Sequence, residues 1–242
     1  MKTILNLMIV VSFLFAGLAD MNAQWGKKIK GNGNVTTKTV NTGDYDAIRG
    51  IGSMDIHLEK GTEGNISVTT DDNLHEYLEI EVKDNTLLVK TKKNVNIYTK
   101  NGIHVKVPFT DISEVALTGS GDIDTKDTIK ADNLEVVITG SGDIELDVEA
   151  RMVDAKVTGS GDMVLTGKTN DLEVKVTGSG DFRGFDLDAQ NTEASVSGSG
   201  DIRVVAKRNL KARVHGSGDI TYKGNPERRD TKTSGSGDIS SF

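Results

Sequence analysis

Thr158-Gly159-Ser160-Gly161-Asp162 is one copy of a unit that recurs along the second half of the chain. Its Gly-Ser-Gly-Asp part begins at Gly119, Gly140, Gly159, Gly178, Gly198, Gly216 and Gly235. Successive copies are 21, 19, 19, 20, 18 and 19 residues apart. A nearly fixed period of this length is typical of a solenoid, in which each repeat forms one turn of a coil.

Apolar residues alternate with polar ones on both sides of each turn. In the copy that begins at Gly159, the apolar residues Val153, Ala155 and Val157 stand before the turn, and Met163 stands directly after the Asp. Apolar residues at every second position indicate a strand with one buried face. Each unit is therefore predicted to contain a strand, the Gly-Ser-Gly turn, a second strand and a polar loop.

A single unit of this kind cannot bury its apolar face, but stacked units can, at a spacing of roughly 4.8 Å between paired strands. The sequence therefore predicts an all-β fold, a single-stranded β-solenoid (β-helix) with rungs of about 19 residues. A right-handed coil is expected, because parallel crossovers are overwhelmingly right-handed. The alternative is an up-and-down antiparallel barrel or sandwich. The solenoid is favoured because equivalent residues stack only when each rung repeats the last.

The composition excludes several classes of protein. The chain has 242 residues, with 27 Gly, 2 Pro, no Cys and a net charge of −7. Without Cys, disulfides and thiolate metal sites are excluded. An acidic chain without a basic run binds nucleic acid poorly, so no nucleic-acid partner is expected. The aromatic content of 5% is low for a protein that stacks many bases or sugars on its rings.

The N-terminus has the pattern of a secretory signal peptide over residues 1–23. Its apolar run extends from Ile4 to Leu18, and cleavage is expected after Ala19 or Ala23. This run is short for spanning a bilayer, which takes about 20 apolar residues. We therefore expect an exported protein with no transmembrane span in its mature chain, located in the periplasm, on the cell surface or in the medium.

The folded domain is predicted over residues 42–242, after a flexible lead-in over residues 24–41. Residues 111–242 hold the seven repeats, and residues 42–110 are β-rich but less regular. A solenoid needs an atypical terminal unit to prevent end-to-end association, so this irregular segment is interpreted as a cap. Gly50 to Asp55 is interpreted as a worn first copy of the repeat.

Three local features are also predicted. Asp72 to Tyr77 is expected to hold one helical turn capped by Asp72. Pro108 is expected to mark a strand end, because proline has no N–H to donate to a ladder. Thr231 and Thr233 replace the apolar column in the last repeat. That rung is therefore more polar, either as a cap or as a surface covered by another subunit, so a homo-oligomer is one expectation.

Several of these motifs resemble a known family. They are the leader, Tyr45-Asp46-Ala47-Ile48 with Gly50 behind it, Val105-Lys106-Val107-Pro108, and the repeated Gly-Ser-Gly-Asp-Ile. Together they resemble the auto-transporter adhesin, head GIN domain proteins of Gram-negative bacteria, especially the Bacteroidetes group, over roughly residues 42–242. The resemblance implies a β-solenoid-like fold, export and an adhesin role. It implies no catalytic residues.

Stacking of the repeats would place the Asp of each turn in one column. Its members are Asp122, Asp143, Asp162, Asp181, Asp201, Asp219 and Asp238. Neighbouring carboxylates roughly 5 Å apart repel each other by about 1 kcal/mol per pair in water. Calcium bound by the column from Asp122 to Asp219 is one way to offset this repulsion. The alternative is that each carboxylate bonds N–H groups of its own turn and faces water. No other cofactor is expected.

A hydroxyl-rich column precedes each turn and consists of Thr118, Thr139, Thr158, Thr177, Ser197, His215 and Ser234. Hydroxyl ladders stabilise sheets. An ice-binding face would need a second Thr column two residues earlier. That position holds residues such as Val137, Lys156 and Arg213, so ice binding is not favoured.

Catalysis is not favoured either, and we predict that the protein is not an enzyme. An enzyme needs one singular site, whereas this chain repeats one surface. The four His are scattered along the sequence, and no pair has ligand spacing. The singular place is Arg183-Gly184-Phe185, where one extra residue interrupts the repeat, and it is interpreted as a bulge.

The sequence therefore favours an exported, non-enzymatic β-solenoid that acts as a binding or structural module. Its repeated side-chain columns would meet a glycan, an extracellular or matrix protein, or another copy of the chain. The first alternative is a periplasmic protein that maintains the envelope. The second is a polysaccharide-active enzyme built on a β-helix.

Overall fold

The computed structural model describes residues 26–242, so the predicted signal peptide lies outside the described residues. The fold is all-β, with 67% strand and 3% helix. It is a β-solenoid of about seven turns with rungs of about 19 residues, as the repeat predicts. Within the described part of the chain, no helix is long and apolar enough to cross a membrane.

The strands fall into an N-terminal group and a repeat group. The N-terminal strands are β1 (Lys27–Lys30), β2 (Val35–Asn41), β3 (Ala47–Gly52), β4 (Asp55–Lys60), β5 (Asn65–Asp71), β6 (Leu78–Lys83), β7 (Thr86–Thr91), β8 (Val95–Tyr98) and β9 (His104–Phe109). The repeat strands are β10 (Glu114–Gly119), β11 (Ile123–Thr125), β12 (Ile129–Gly140), β13 (Ile144–Gly159), β14 (Met163–Gly178), β15 (Phe182–Arg183), β16 (Leu187–Gly198), β17 (Ile202–Val205), β18 (Asn209–Gly216), β19 (Ile220–Lys223), β20 (Arg228–Gly235) and β21 (Ile239–Ser241).

The repeat strands stack in parallel along two sides of the solenoid. The first side, before the turns, is β3, β10, β12, β13, β14, β16, β18 and β20 in spatial order. The second side, after the turns, is β4, β11, β13, β14, β15, β17, β19 and β21. This parallel stacking rules out the antiparallel barrel or sandwich for the repeats. The right-handed sense of the coil remains a prediction.

The register aligns every Gly-Ser-Gly turn with the next one. Gly52 pairs with Gly119, Gly119 with Gly140, and so on to Gly235. Gly52-Ser53-Met54-Asp55 therefore lies directly beside the first complete copy of the repeat. The interpretation of this segment as a worn first copy is confirmed.

Columns of apolar side chains fill the interior between the two sides. The residues before and after the turn at Gly159, such as Val157 and Met163, are at most 1% exposed. The equivalent residues of neighbouring rungs are buried in the same way, because the pleat sends alternate side chains to the same face. The predicted period-2 burial is therefore confirmed for the repeats.

The N-terminal strands close one end of the solenoid. β7 pairs in parallel with β3, and β9 pairs in parallel with β4, so the parallel stack continues by one more rung. Antiparallel strands then end the stack, because β6 lies beside β7 and β5 lies beside β9. Tyr45 is buried, and its hydroxyl donates to the carbonyl of Pro108. Burial raises the pKa of Tyr45. The motifs Tyr45-Asp46-Ala47-Ile48 and Val105-Lys106-Val107-Pro108, which lie outside the repeat in the sequence, thus meet inside the cap.

The prediction of a flexible lead-in over residues 24–41 is wrong for its described part. β1 pairs with β8, and β2 pairs with β5 along seven residues. Strand β2 is polar, but it supplies partners for the N–H and C=O groups of β5, which would otherwise be an open edge. Gly31 to Asn34 form a loop between β1 and β2, so in the described part of the segment tertiary pairing overrides the polar composition.

Two further local predictions need correction. Asp72–Tyr77 forms the predicted helical turn, a 3-10 helix, but its N-cap residue is Asp71, without a side-chain cap bond. Asp72 instead forms an ion pair with Lys38 at 3.1 Å. Strand β9 continues one residue past Pro108, which pairs with Glu59 of β4. Proline is tolerated there because it lies one residue from the strand end.

Two interruptions of the repeat match their predictions. Between the pairs Val164–Arg183 and Gly167–Leu187, β14 has two residues and the opposing segment has three, which defines a bulge. At the C-terminal end, β20 is exposed along its whole length. The last rung is therefore polar and open, and whether another subunit covers it remains a prediction.

Candidate functional site

The Asp column forms a ladder of hydrogen bonds that runs from rung to rung. The Asp162 carboxylate accepts a bond from the backbone N–H of Asp181 at 2.9 Å, and Asp143 accepts one from Asp162 at 2.8 Å. The same bond recurs at every step from Asp122 to Asp238. Charge-assisted bonds of this kind offset the repulsion between stacked carboxylates.

The acceptor role was predicted, but the donor was not. The N–H groups of each turn are already used, since Ser160 and Gly161 both donate to the Gly140 carbonyl of the preceding rung, at 2.8 and 3.2 Å. The Asp therefore cannot bond N–H groups of its own turn. The N–H that it reaches belongs to the Asp of the following rung, which the parallel register places beside it.

Calcium binding by the column remains a prediction. In residues 26–242 no group of three or more His, Asp or Glu side chains is arranged around a common point as a metal site. Each carboxylate from Asp122 to Asp219 already has one oxygen occupied by an N–H. Equal melting temperatures in calcium and in chelator would remove the calcium hypothesis.

We expect Asp162→Ala to lower the free energy of unfolding by about 1–2 kcal/mol, because the variant leaves the Asp181 N–H without its charged acceptor. It also removes an ion pair with Arg183 at 2.8 Å. Denaturant unfolding measures the change. The matched control is Asp238→Ala, whose carboxylate has no following Asp N–H within the described chain and should change stability by less than about 0.5 kcal/mol. Equal losses in the two variants would contradict the ladder.

The hydroxyl column before the turns lies on the surface, and every member from Thr118 to Ser234 is exposed. The Ser of each turn is also exposed, and it forms a second hydroxyl column two residues after the first. The position two residues before the first column, in contrast, holds few hydroxyl residues. In the worn rung the exposed Ile51 takes the place of the Thr, because it pairs with Thr118.

A groove of about 1030 Å³ lies where the chain passes from the second side of one rung to the first side of the next. It crosses several rungs and is lined by Asp46, Asp111, Ile112, Ser113, Lys130, Ala131, Asp132, Asn133, Glu149, Ala150, Arg151, Lys168, Thr169, Asn170, Asp188 and Gln190. The four rung intervals from Ser113 to Gln190 give it a length of about 19 Å. We call this feature the polar groove.

One wall of the polar groove is a column of alternating charge. Lys130, Glu149, Lys168 and Asp188 occupy equivalent positions of successive rungs. Glu149 forms ion pairs with Lys130 at 3.2 Å and with Lys168 at 3.0 Å. Hydrogen bonds from Lys168 and Lys130 lower the pKa of Glu149. Exposed pairs of this kind contribute only about 0–1 kcal/mol each to stability, so their charges remain available to a ligand.

A second column runs beside the first and carries Asp132, Arg151, Asn170 and Gln190. Arg151 forms an ion pair with Asp132 at 3.0 Å. Between the two columns lie small residues such as Ala131 and Ala150, which make a shallow floor. The groove thus offers carboxylates, guanidinium, ammonium and amide groups along one line, a pattern suited to an extended polar ligand.

Sequence reasoning missed this groove. The columns predicted from the sequence were those of Asp and Thr, and the mixed polar columns at the start of β12 and in the middle of β13 and β14 were not among them. The available signal was the alternation of Lys130, Glu149 and Lys168 at 19-residue spacing. That alternation becomes visible only when the register between successive rungs is assigned.

The family model for "Putative auto-transporter adhesin, head GIN domain" matches residues 44–226. A solved structure of a "putative adhesin" from Bacteroides fragilis is similar with a TM-score of 0.85 and 24% identity, covering 88% of this chain and 100% of that one. A "putative lipid binding protein" from Parabacteroides distasonis has a TM-score of 0.76 and 29% identity, covering 89% and 100%. A "putative adhesin" from Parabacteroides merdae has a TM-score of 0.72 and 24% identity, covering 89% and 99%. No curated protein matches the chain.

Proposed function

Because the chain belongs to the auto-transporter adhesin, head GIN domain family, we propose that it is an exported, non-enzymatic binding module whose ligand lies along the polar groove. The observation that carries this proposal is the continuity of the groove over successive rungs. Rungs in fixed register present equivalent positions at a regular rise, so a ligand with its own repeat can make several weak contacts at once.

The chemistry of the groove favours a glycan over the other expected partners. Carboxylates and side-chain amides pair well with hydroxyl groups, because a carboxylate such as Glu149 accepts hydrogen bonds and the amides of Asn170 and Gln190 both accept and donate them. Both signs of charge are present, which disfavours a ligand of one strong charge. An extended segment of an extracellular protein is the competing occupant, and about 19 Å would hold about six extended residues.

The direct test is binding of the mature protein to a glycan array, to immobilised extracellular-matrix proteins and to lipid vesicles. The groove variant is Arg151→Glu with Lys168→Glu, and we expect it to raise the Kd for the bound glycan about tenfold or more, because both changes reverse charges that line the groove. The matched control is Lys175→Glu with Arg203→Glu, which makes the same charge change at exposed positions outside the groove.

The two variants separate the outcomes. Loss of glycan binding in the groove variant alone supports the proposal. Equal loss in both variants points to a general effect of charge, and retention in the groove variant places the ligand elsewhere. Binding to matrix protein or to vesicles but to no glycan would show that the ligand is a protein or a lipid and would contradict the proposal of a glycan. Turnover of a bound polysaccharide would overturn the non-enzymatic assignment.

Exposure at the cell surface is tested by protease treatment of intact cells that carry a tagged copy. Lysed cells show whether the folded protein can be cut, and a known periplasmic protein shows whether the cells remain sealed. Loss of the tagged protein from intact cells supports the adhesin function. Survival until the outer membrane is opened supports the alternative, a periplasmic protein that maintains the envelope.

A further inference from the structure

Two of the four histidines lie side by side, although the sequence suggests that they are scattered. His57 is on β4 and His104 is on β9, and the pairing of these strands places His104 opposite Asp55. On the other side of β4, His57 lies opposite Asp124 of β11. The outward faces of three adjacent strands thus bring together two imidazoles and two carboxylates. We call this group the histidine cluster: Asp55, His57, His104 and Asp124.

Three close contacts connect the side chains of the histidine cluster. His57 Nε2 lies 3.4 Å from His104 Nδ1, and the two rings are nearly parallel, with centroids 5.6 Å apart. His104 Nδ1 lies 3.5 Å from Asp55 Oδ2. On its far side, His57 Nδ1 is 2.7 Å from Asp124 Oδ2. His57 therefore has one nitrogen bonded to a carboxylate and the other turned toward a second imidazole.

Two features of this arrangement fit a transition-metal site. Two ligand atoms that each lie 2.0–2.1 Å from a tetrahedral zinc ion are about 3.3–3.4 Å apart, which is the separation of the two imidazole nitrogens. A metal-bound His usually donates its other ring N–H to a carboxylate, which fixes the tautomer and the ring orientation. The short contact between His57 and Asp124 supplies this second feature independently of the first.

The surroundings also favour a cation. Asp122 directly precedes β11, and its carbonyl accepts a bond from the Ile56 N–H next to Asp55. Glu145 of β13 lies opposite Asp124, whereas Lys106 is the basic neighbour opposite His57. The side chains of His57 and His104 are 37% and 43% exposed, so an ion can reach them from solvent. No three ligand groups in residues 26–242 already meet at one point, so the carboxylate of Asp55 must turn toward the imidazoles to close the site.

We propose that the histidine cluster binds one divalent transition-metal ion of the zinc class. His57 Nε2 and His104 Nδ1 are the nitrogen ligands, Asp55 is the oxygen ligand, and water completes the coordination. Asp124 is a positioning residue that holds His57 through Nδ1. Imidazole ligands suit zinc, copper and nickel, whereas calcium prefers oxygen ligands alone, so calcium should not compete.

The test is a titration of the untagged mature protein with Zn²⁺ in competition with a chromophoric chelator. We expect binding of one equivalent, unchanged by excess Ca²⁺. His57→Ala and His104→Ala should each weaken binding at least about tenfold, because each removes a ligand. Asp124→Asn should weaken it about 10–100-fold while all three ligands remain. The control His215→Ala removes an exposed histidine elsewhere on the solenoid and should leave binding unchanged.

Two results would overturn the proposal: wild-type protein that takes up no Zn²⁺ at micromolar to millimolar concentration, or equal uptake by the His57→Ala, His104→Ala double variant. Circular dichroism of each variant shows that the fold is retained, and His57→Gln and His104→Gln provide a second pair of similar size. NMR resolves the binding residues, since Zn²⁺ should shift the imidazole signals of His57 and His104 only. The proposal does not depend on the polar groove, so glycan binding can fail while zinc binding holds.

Discussion

Gly159→Ala should destabilise the protein by roughly 2–6 kcal/mol, a large part of the roughly 5–15 kcal/mol by which native proteins are stable. Gly159 has a φ of +121°, a conformation in which side chains with a Cβ are strained. An added Cβ would also lie 2.2 Å from the carbonyl oxygen of Gly140 in the preceding rung. That oxygen accepts bonds from Ser160 and Gly161, so it cannot move away without breaking the turn.

Denaturant unfolding followed by circular dichroism measures this loss. The first control is Gly43→Ala, where an added Cβ meets nothing within 4 Å. The second is Ser160→Ala, in the same turn, whose side chain is exposed. Both controls should lie within about 0.5–1 kcal/mol of wild type. A Gly159→Ala variant as stable as these controls would show that the turn adopts another conformation.

The worn first rung supports this explanation of the glycines. Met54 stands at the position that glycine occupies in the next rung, Gly121. A Cβ on Gly121 would lie 2.0 Å from the Met54 carbonyl, and a Cβ on Gly142 would lie 1.9 Å from the Gly121 carbonyl. In each case the obstacle is the backbone of the preceding turn. Gly52-Ser53-Met54 has no such turn before it, so a side chain is tolerated there.

Phe182→Ala should lower the free energy of unfolding by about 3–5 kcal/mol, because it leaves a cavity in the middle of the interior column. Phe182 is 0% exposed and lies between Met163 and Ile202 of the adjacent rungs. Stacked backbones in fixed register cannot collapse into the space without breaking the ladders on either side. The rungs that follow should lose stability together with this one, since each rung is supported by its neighbours.

The matched control for this variant is Phe242→Ala, which removes the same side chain from a position that is 83% exposed. It contacts Phe185 and Lys223 at the surface, so its loss should cost less than about 1 kcal/mol. Calorimetry of the two variants gives the comparison. Similar melting temperatures for the two would contradict the placement of Phe182 in the core.

The sequence predicted the repeats well because their signal is local and recurs. Alternating residues such as Val153, Ala155 and Val157 define a strand and its buried face within a few positions. Repetition at about 19 residues then indicates how one strand lies on the next. The lead-in failed because β2 is polar and carries no such signal, and only its pairing with β5 makes it a strand.

The candidate sites were predicted less well, since each depends on contacts between residues far apart in the chain. The column of Asp residues was identified correctly, but the donor to each carboxylate belongs to the next rung and not to the same turn. His57 and His104 are 47 residues apart and belong to different kinds of rung, so no spacing rule joins them. The charges of the polar groove, such as Lys130, Glu149 and Arg151, lie on strands β12 and β13, but they are outward-facing and do not share one residue type from rung to rung.

The sequence alone determined the all-β class, the rung length, the positions of the turns and the identity of the buried face. These properties follow from short-range sterics and from the alternation of apolar residues, and both recur in every repeat. The tertiary structure alone decided how the cap closes, for example through Tyr45 and Pro108, which are 63 residues apart. It also decided which outward side chains share a groove or a cluster. Surface side chains do not follow the alternation of apolar residues, so their partners become known only when the register of all the strands is in place.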